Sequence, residues 1–135
     1  MMWFDLDNFK DVNDGLGHAV GDRVLEELAQ AVKSKSRAYS TFARVGGDEF
    51  ALVLPNADRD EAQRAADRLL GVLRERTFRV EGHNVRIYVS IGIALYPDHG
   101  TTLDEVLVSA DKAMYEAKGL GGDRYEIYDD PTPAG

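Results

Sequence analysis

The spacing of apolar positions changes several times along the chain, and each change marks an element. Met1 to Leu6 is a short apolar run that gives way to acids at Asp5 and Asp7, and it predicts a strand. Asn8 to Gly17 sets Phe9 and Val12 among Lys10, Asp11, Asn13 and Asp14, a short helix or turn that Gly15 and Gly17 end. From Gly21 the period becomes helical: Val24, Leu25, Leu28, Ala29 and Val32 define an amphipathic helix to about Lys33, with Asp22 in its first turn, where an acid suits the helix dipole. After a polar connection from Lys33 to Ser40, Phe42–Val45 and Phe50–Leu54 read as the arms of a hairpin around Gly46-Gly47 and Asp48-Glu49, closed by Pro55.

The second half follows the same logic. Asp58 and Glu61 form a capping pair for a helix whose inner face is Ala62, Ala65, Ala66, Leu69, Leu70 and Leu73. Thr77–Val80 and Val85–Ile91 predict two strands joined through Gly82-His83-Asn84. In the second of them Val85, Ile87, Val89 and Ile91 alternate with Arg86, Tyr88 and Ser90, so one apolar face is expected. Ile93 to Tyr96 extends that run until Pro97-Asp98-His99-Gly100 breaks it. Thr102 and Glu105 start a helix carried by Leu103, Val106, Leu107, Ala110, Met114 and Ala117 and ending near Lys118-Gly119. Arg124–Tyr128 predicts a last short strand, and residues 129–135 a flexible, solvated tail. Because strands follow one another in pairs without an intervening helix, the order predicts an α+β sheet with packed helices rather than a doubly wound fold.

Composition narrows the function classes. The 135 residues make one domain with 44% apolar and 30% charged residues. A net charge of −8 argues against binding a nucleic-acid duplex, which needs a basic footprint, but leaves room for a nucleotide held through a divalent cation. There is no cysteine, and hence no disulfide or thiolate metal site. No apolar run reaches membrane-spanning length, so the domain itself is expected in the cytoplasm, although the full protein could be attached to a membrane. A strand starting at the first residue leads us to expect that a leading segment is missing.

Two carboxylate-bearing strand ends stand out. Asp5 and Asp7 on one and Asp48 and Glu49 on the other supply the hard oxygens that magnesium takes, with substrate phosphates filling further positions. The plainer alternative is that these acids are merely solvated at turns. Asn13, His18 and Asp22 form a polar cluster able to read a purine edge, an amide matching donor and acceptor and a carboxylate accepting from ring N–H groups. Equally, Asn13 suits a turn, Asp22 a helix start, and His18 a structural hydrogen bond rather than a zinc triad. Lys118 complements a helix C-terminus or reaches a phosphate. Arg37, Arg44 and Arg68 read as surface residues. Neither GxGxxG before a helix nor GxxxxGK[ST] is present.

Taken together, Asp5-Leu6-Asp7-Asn8-Phe9-Lys10, Asn13-Asp14, Gly17-His18, Gly21-Asp22, Arg44-Val45-Gly46-Gly47-Asp48-Glu49-Phe50, Ser90-Ile91-Gly92-Ile93-Ala94 and Ala110-Asp111-Lys112-Ala113-Met114-Tyr115 with Ala117-Lys118 resemble the GGDEF family of diguanylate cyclases over nearly the whole chain. The resemblance implies a palm-like, mainly antiparallel sheet of about five strands flanked by helices. It makes Asp5, Asp48 and the Leu6 carbonyl ligands of magnesium, or of manganese in its place. It puts Glu49 beside Asp48 at the reacting centre, Asn13 and Asp22 on guanine, and Lys10 and Lys118 on the terminal phosphates. It implies a homodimer in which two GTP molecules become cyclic di-GMP and pyrophosphate, driven by an upstream sensory or dimerising domain.

Three departures qualify that picture. The family's Arg-x-x-Asp product-binding motif falls on Arg37-Ala38-Tyr39-Ser40, so Ser40 lacks the acid, leaving Arg37 and Arg68 as a degenerate product-inhibition site with weak or absent inhibition expected. Gly122 stands where an arginine is expected on the phosphates, with Arg124 two positions on. The leading helix and its Asp-x-Leu-Thr-Gly-Leu-x-Asn-Arg segment do not precede Met1. The favoured reading is therefore a diguanylate cyclase, and the alternative a catalytically weak domain that binds GTP as a regulatory module.

Overall fold

The computed structural model describes residues 1–7, 9–35 and 41–129. Its elements are β1 (Met2–Leu6), α1 (Phe9–Leu16), α2 (His18–Lys35), β2 (Thr41–Gly46), β3 (Glu49–Val53), α3 (Arg59–Glu75), β4 (Phe78–Val80), β5 (His83–Val85), β6 (Val89–Ile93), α4 (Leu103–Gly119) and β7 (Arg124–Ile127). Five strands form the main sheet in the order β2-β3-β1-β6-β7, antiparallel except for the β6–β7 pair, and β4–β5 form a separate hairpin. This is a palm-like α+β fold with the short β1 at its centre. The tail beyond Asp129 lies outside the described residues, as do Asn8, Arg37 and Ser40.

Strand alternation sorts the side chains of β1 to two faces. Met2, Phe4 and Leu6 are buried in the larger core with Val24, Leu25 and Leu28 of α2 and Leu69, Leu70 and Leu73 of α3. Phe42 bridges Phe4 and Phe50, stacking on Phe50 at 5.4 Å between ring centroids. Trp3 turns to the other face and packs with Ala94, Val106 and Ala110, where α4 lies. Gly92 of β6 makes that contact close: a Cβ there would stand 1.9 Å from the Ala110 carbonyl oxygen and 2.4 Å from the Met114 nitrogen. Both expected caps form, Asp58 accepting from the Glu61 N–H and Thr102 from the Glu105 N–H.

Three expectations need correction. The helix read from Gly21 begins at His18, directly after Gly17, whose φ of 93° ends α1; Asp22 accordingly lies beyond the first turn. Asn13 lies inside α1 and is no turn former. The run Val85–Ile91 is not one strand with one apolar face: Val85 closes the small hairpin, and β6 enters the main sheet with all five residues buried, Ser90 included. A central strand covered by helices on both faces carries no polar side, and the alternation through Arg86 and Tyr88 conceals the passage from one sheet to the other.

Candidate functional site

The end of β1 gathers the acids. Asp5 pairs across the sheet with Glu49 on one side and Ser90 on the other, which puts the three side chains in one row on the α4 face. The hairpin returns at Gly47 and Asp48; Gly47 takes a positive φ of 43°, and its carbonyl accepts from the Arg44 guanidinium at 2.7 and 3.0 Å. The Leu6 N–H donates to the Asp48 carbonyl at 3.3 Å, tying the turn to β1, while the Leu6 side chain stays in the core.

The Asp5 carboxyl is pushed up to about 6, first by burial; the hydrogen bond from Lys118 opposes this, and the Asp48 charge adds to it. Lys118, in the last turn of α4, sets its ammonium 3.2 Å from Asp5 Oδ2 and 3.9 Å from Asp7 Oδ1. Asp5 Oδ1 is buried with no hydrogen-bond partner among the described residues. A hard, underserved carboxylate oxygen beside a second carboxylate is a fitting donor for magnesium, although the described residues hold no group of three or more His, Asp or Glu arranged for a metal.

Against the Asp48 side lies an open polar cavity of about 450 Å³ lined by Phe9, Lys10, Asn13, Asp14, His18, Asp22, Leu25, Arg44, Gly47 and Asp48. The structure thus brings Lys10, Asn13 and Asp22 onto one cavity that Asp48 also borders. His18 is exposed at its rim, with no structural hydrogen bond among the described residues. Asn13 Oδ1 is buried without a partner among the described residues and lies over Gly21, where a Cβ would come within 1.9 Å of it. Arg68 is exposed on α3 and does not line the cavity.

Asp7 differs from Asp5. Its Oδ1 accepts from Ser90 Oγ at 2.5 Å and its Oδ2 from the Asp123 N–H at 2.8 Å, so both oxygens are engaged. Ser90, Asp123 and Gly21 support the site without standing among the candidate residues legible in the sequence. A serine inside the apolar run Val89–Ile93 was the available signal for the first; the other two depend on contacts between distant segments.

Fold and site together define a palm-like domain in which acids at the end of the central strand lie beside an open cavity. The chain belongs to the diguanylate cyclase GGDEF-domain family, whose description matches residues 1–124. It is 41% identical over 96% of its length to the bifunctional diguanylate cyclase/cyclic di-GMP phosphodiesterase MucR of Pseudomonas aeruginosa, covering 19% of that protein. Two further curated relatives are covered to 12% and 36%, so the chain spans about a tenth to a third of the relatives it matches. It superimposes on the GGDEF domain of Pseudomonas aeruginosa TpbB with TM-score 0.90 and 39% identity, covering 95% of this chain and 80% of that one. Diguanylate cyclase SiaD of Pseudomonas aeruginosa, solved in complex with its activator SiaC, aligns with TM-score 0.87 and 35% identity over 93% of this chain and 48% of that one. No helix among the described residues is long and apolar enough to cross a membrane.

Proposed function

We propose that this domain, paired with a second copy, condenses two GTP molecules into cyclic di-GMP. The observation that carries the reading is the buried Asp5 oxygen without a partner among the described residues, beside the Asp48 carboxylate and an open cavity of about 450 Å³. Asp5, Asp48 and the Leu6 carbonyl would hold magnesium, or manganese, which when bound draws charge from phosphate oxygens and acidifies an attacking hydroxyl. Asn13 and Asp22 read the guanine edge from α1 and α2. Lys10 and Lys118 meet the terminal phosphates. Glu49, one residue from Asp48 and opposite Asp5, is the adjacent acid to which the hydroxyl proton can pass.

The 3′-oxygen of each GTP forms a bond to the α-phosphorus of the other, the bond to pyrophosphate breaks, and two such steps close the ring. One domain presents one nucleotide, so pairing supplies the proximity, and a lone copy is nearly inert. Pairing would come from a sensory or dimerising domain of a longer protein, or from a partner such as the activator described for SiaD.

The test is incubation of the dimerised protein with GTP and magnesium and chromatography of the products. Cyclic di-GMP is the expected product; GTP binding with no cyclic dinucleotide would establish the second reading, a regulatory GTP-binding module. That reading is favoured by Gly122, where the space an arginine's Cβ would need is filled by the Asp7 carboxylate. Without an acid at Ser40, feedback through Arg37 and Arg68 is weak or absent on either reading.

A further inference from the structure

We propose that Asp7 is a positioning residue: it clamps the turn after α4 to the ends of β1 and β6 and thereby sets where Lys118 stands. Asp7 follows β1, two residues from Asp5, and by spacing is just as good a cation ligand. Its surroundings say otherwise. Oδ1 accepts from Ser90 Oγ at 2.5 Å and Oδ2 from the Asp123 N–H at 2.8 Å, while its own N–H donates to the Tyr88 carbonyl at 2.8 Å. A single residue therefore joins β1, the entry to β6 and the α4–β7 turn.

That turn is built around the carboxylate. α4 ends with the Gly122 N–H on the Ala117 carbonyl and the Gly121 N–H on the Lys118 carbonyl, the reciprocal pair of a glycine-terminated helix. Gly122 has φ of 74°, and a Cβ there would lie 2.6 Å from Asp7 Oδ2 and 2.8 Å from its Cγ. Behind the turn Asp123 is braced in its turn: its carboxylate accepts from Arg74 Nε at 2.9 Å and its carbonyl from the same guanidinium at 2.5 Å. Arg74 is on α3, so the clamp ties three helical and strand segments to the spot where Lys118 leaves α4. With Lys118 Nζ 3.9 Å from Asp7 Oδ1, the carboxylate also adds charge to the lysine's setting.

Asp7 thus acts through its neighbours, not by touching substrate; its effect on nucleotide rests on the role proposed above for Lys118. Three variants separate the possibilities. Asp7→Ala removes both acceptors, Asp7→Asn keeps an acceptor for the Asp123 N–H but drops the charge, and Gly122→Ala pushes a methyl into the carboxylate while leaving Asp7 in the sequence.

The expected results are a loss of amide-exchange protection at Asp123 in Asp7→Ala and Gly122→Ala but not in Asp7→Asn. Affinity for magnesium–GTP, by calorimetry, falls roughly 10-fold in Asp7→Ala and Gly122→Ala and is mostly restored in Asp7→Asn, the range expected for a group that orients a contacting residue. In a Lys118→Met background Asp7→Ala adds little, because the two act as one unit. Full protection at Asp123 in Asp7→Ala, or an Asp7→Asn as damaging to magnesium binding as Asp5→Asn, would overturn the clamp. If the unmutated protein binds no magnesium–GTP, the functional reading fails while the Asp123 amide still decides the clamp.

Discussion

β1 has a different neighbour on each side, and the two flanks of its acidic end are finished differently. Toward β6 and α4, polar groups are paired: Asp7 with Ser90 and Asp123, Asp123 with Arg74, and Lys118 with Asp5. Toward β3, Asp48 and Glu49 stand at a turn braced by the Arg44 contacts and one backbone bond, and Asp5 Oδ1 between the flanks has no partner among the described residues. Burying a polar atom without a partner costs roughly 1–3 kcal/mol, which a cation bound at Asp5 would recover, whereas both Asp7 oxygens are already engaged by the protein. Spacing in the sequence treats Asp5 and Asp7 alike; their hydrogen bonds separate them.

The difference can be broken hardest from the hairpin side. Asp48→Ala should lower cyclic di-GMP formation by on the order of 10³-fold, the equivalent of about 4 kcal/mol of transition-state stabilisation, with circular dichroism and melting temperature nearly unchanged. Turnover surviving that change would remove Asp48 from the metal site. The scaffold side should show the converse. Gly92→Ala drives a methyl into the Ala110 carbonyl and the backbone of Met114, rigid atoms that cannot swing aside, and should cost about 3 kcal/mol of stability in urea unfolding. A stable Gly92→Ala protein would mean α4 rides more loosely on β6 than its contacts require.

How much of this was legible in the sequence depends on the range of the interaction. The caps at Asp58 and Thr102 are local patterns whose partners lie three positions apart, and both form as read. The hairpin and the two later helices likewise follow from period and punctuation. β6 departs from its pattern because a two-residue alternation reports one apolar face, while burial on both faces is decided by α4, which follows it in the chain. Asp22 and Asn13 had bland local explanations, a helix start and a turn; the first fails because α2 begins at His18, the second because Asn13 lies inside α1. Both residues line the cavity that Asp48 borders. The clamp at Asp7 was out of reach altogether, since its partner Asp123 is 116 positions away.

A subtler break is available on the nucleobase side. Gly21→Ala places a methyl 1.9 Å from Asn13 Oδ1 and 3.2 Å from Phe9 Cζ, so the amide must rotate or α1 must shift. Asn13 is a flexible side chain and can yield, which keeps the stability cost small, but the alignment with guanine proposed for it would be lost. The expected result is a KM for GTP raised about tenfold, close to the worth of one hydrogen bond to a positioned base, with kcat changed far less. A matching loss with ITP in place of GTP would show that the exocyclic amine is not what Asn13 and Asp22 sense.

The smallest effect concerns stability and separates the flanks by pH. Asp5 is raised from 3.8 to about 6, by burial first, with Lys118 opposing and Asp48 adding to the shift. The folded chain therefore holds the Asp5 proton more tightly than the unfolded chain does. The associated stability is fully present below about pH 4 and is lost as pH rises through about 6, so at neutral pH the ionised carboxylate is a net burden on the metal-free fold. Asp5→Asn removes that burden while keeping much the same shape. In chelator at pH 7.5 it should raise stability by about 1 kcal/mol, the modest figure allowing for solvent screening at this site, and the gain should vanish near pH 4. Magnesium should reverse the ranking by stabilising only the unmutated protein, since a cation beside Asp5 and Asp48 relieves the same repulsion that the amide does. A residue whose replacement steadies the empty fold and abolishes its response to metal is held there for binding; an Asp7→Asn control, which keeps an acceptor for the Asp123 N–H, should show neither effect.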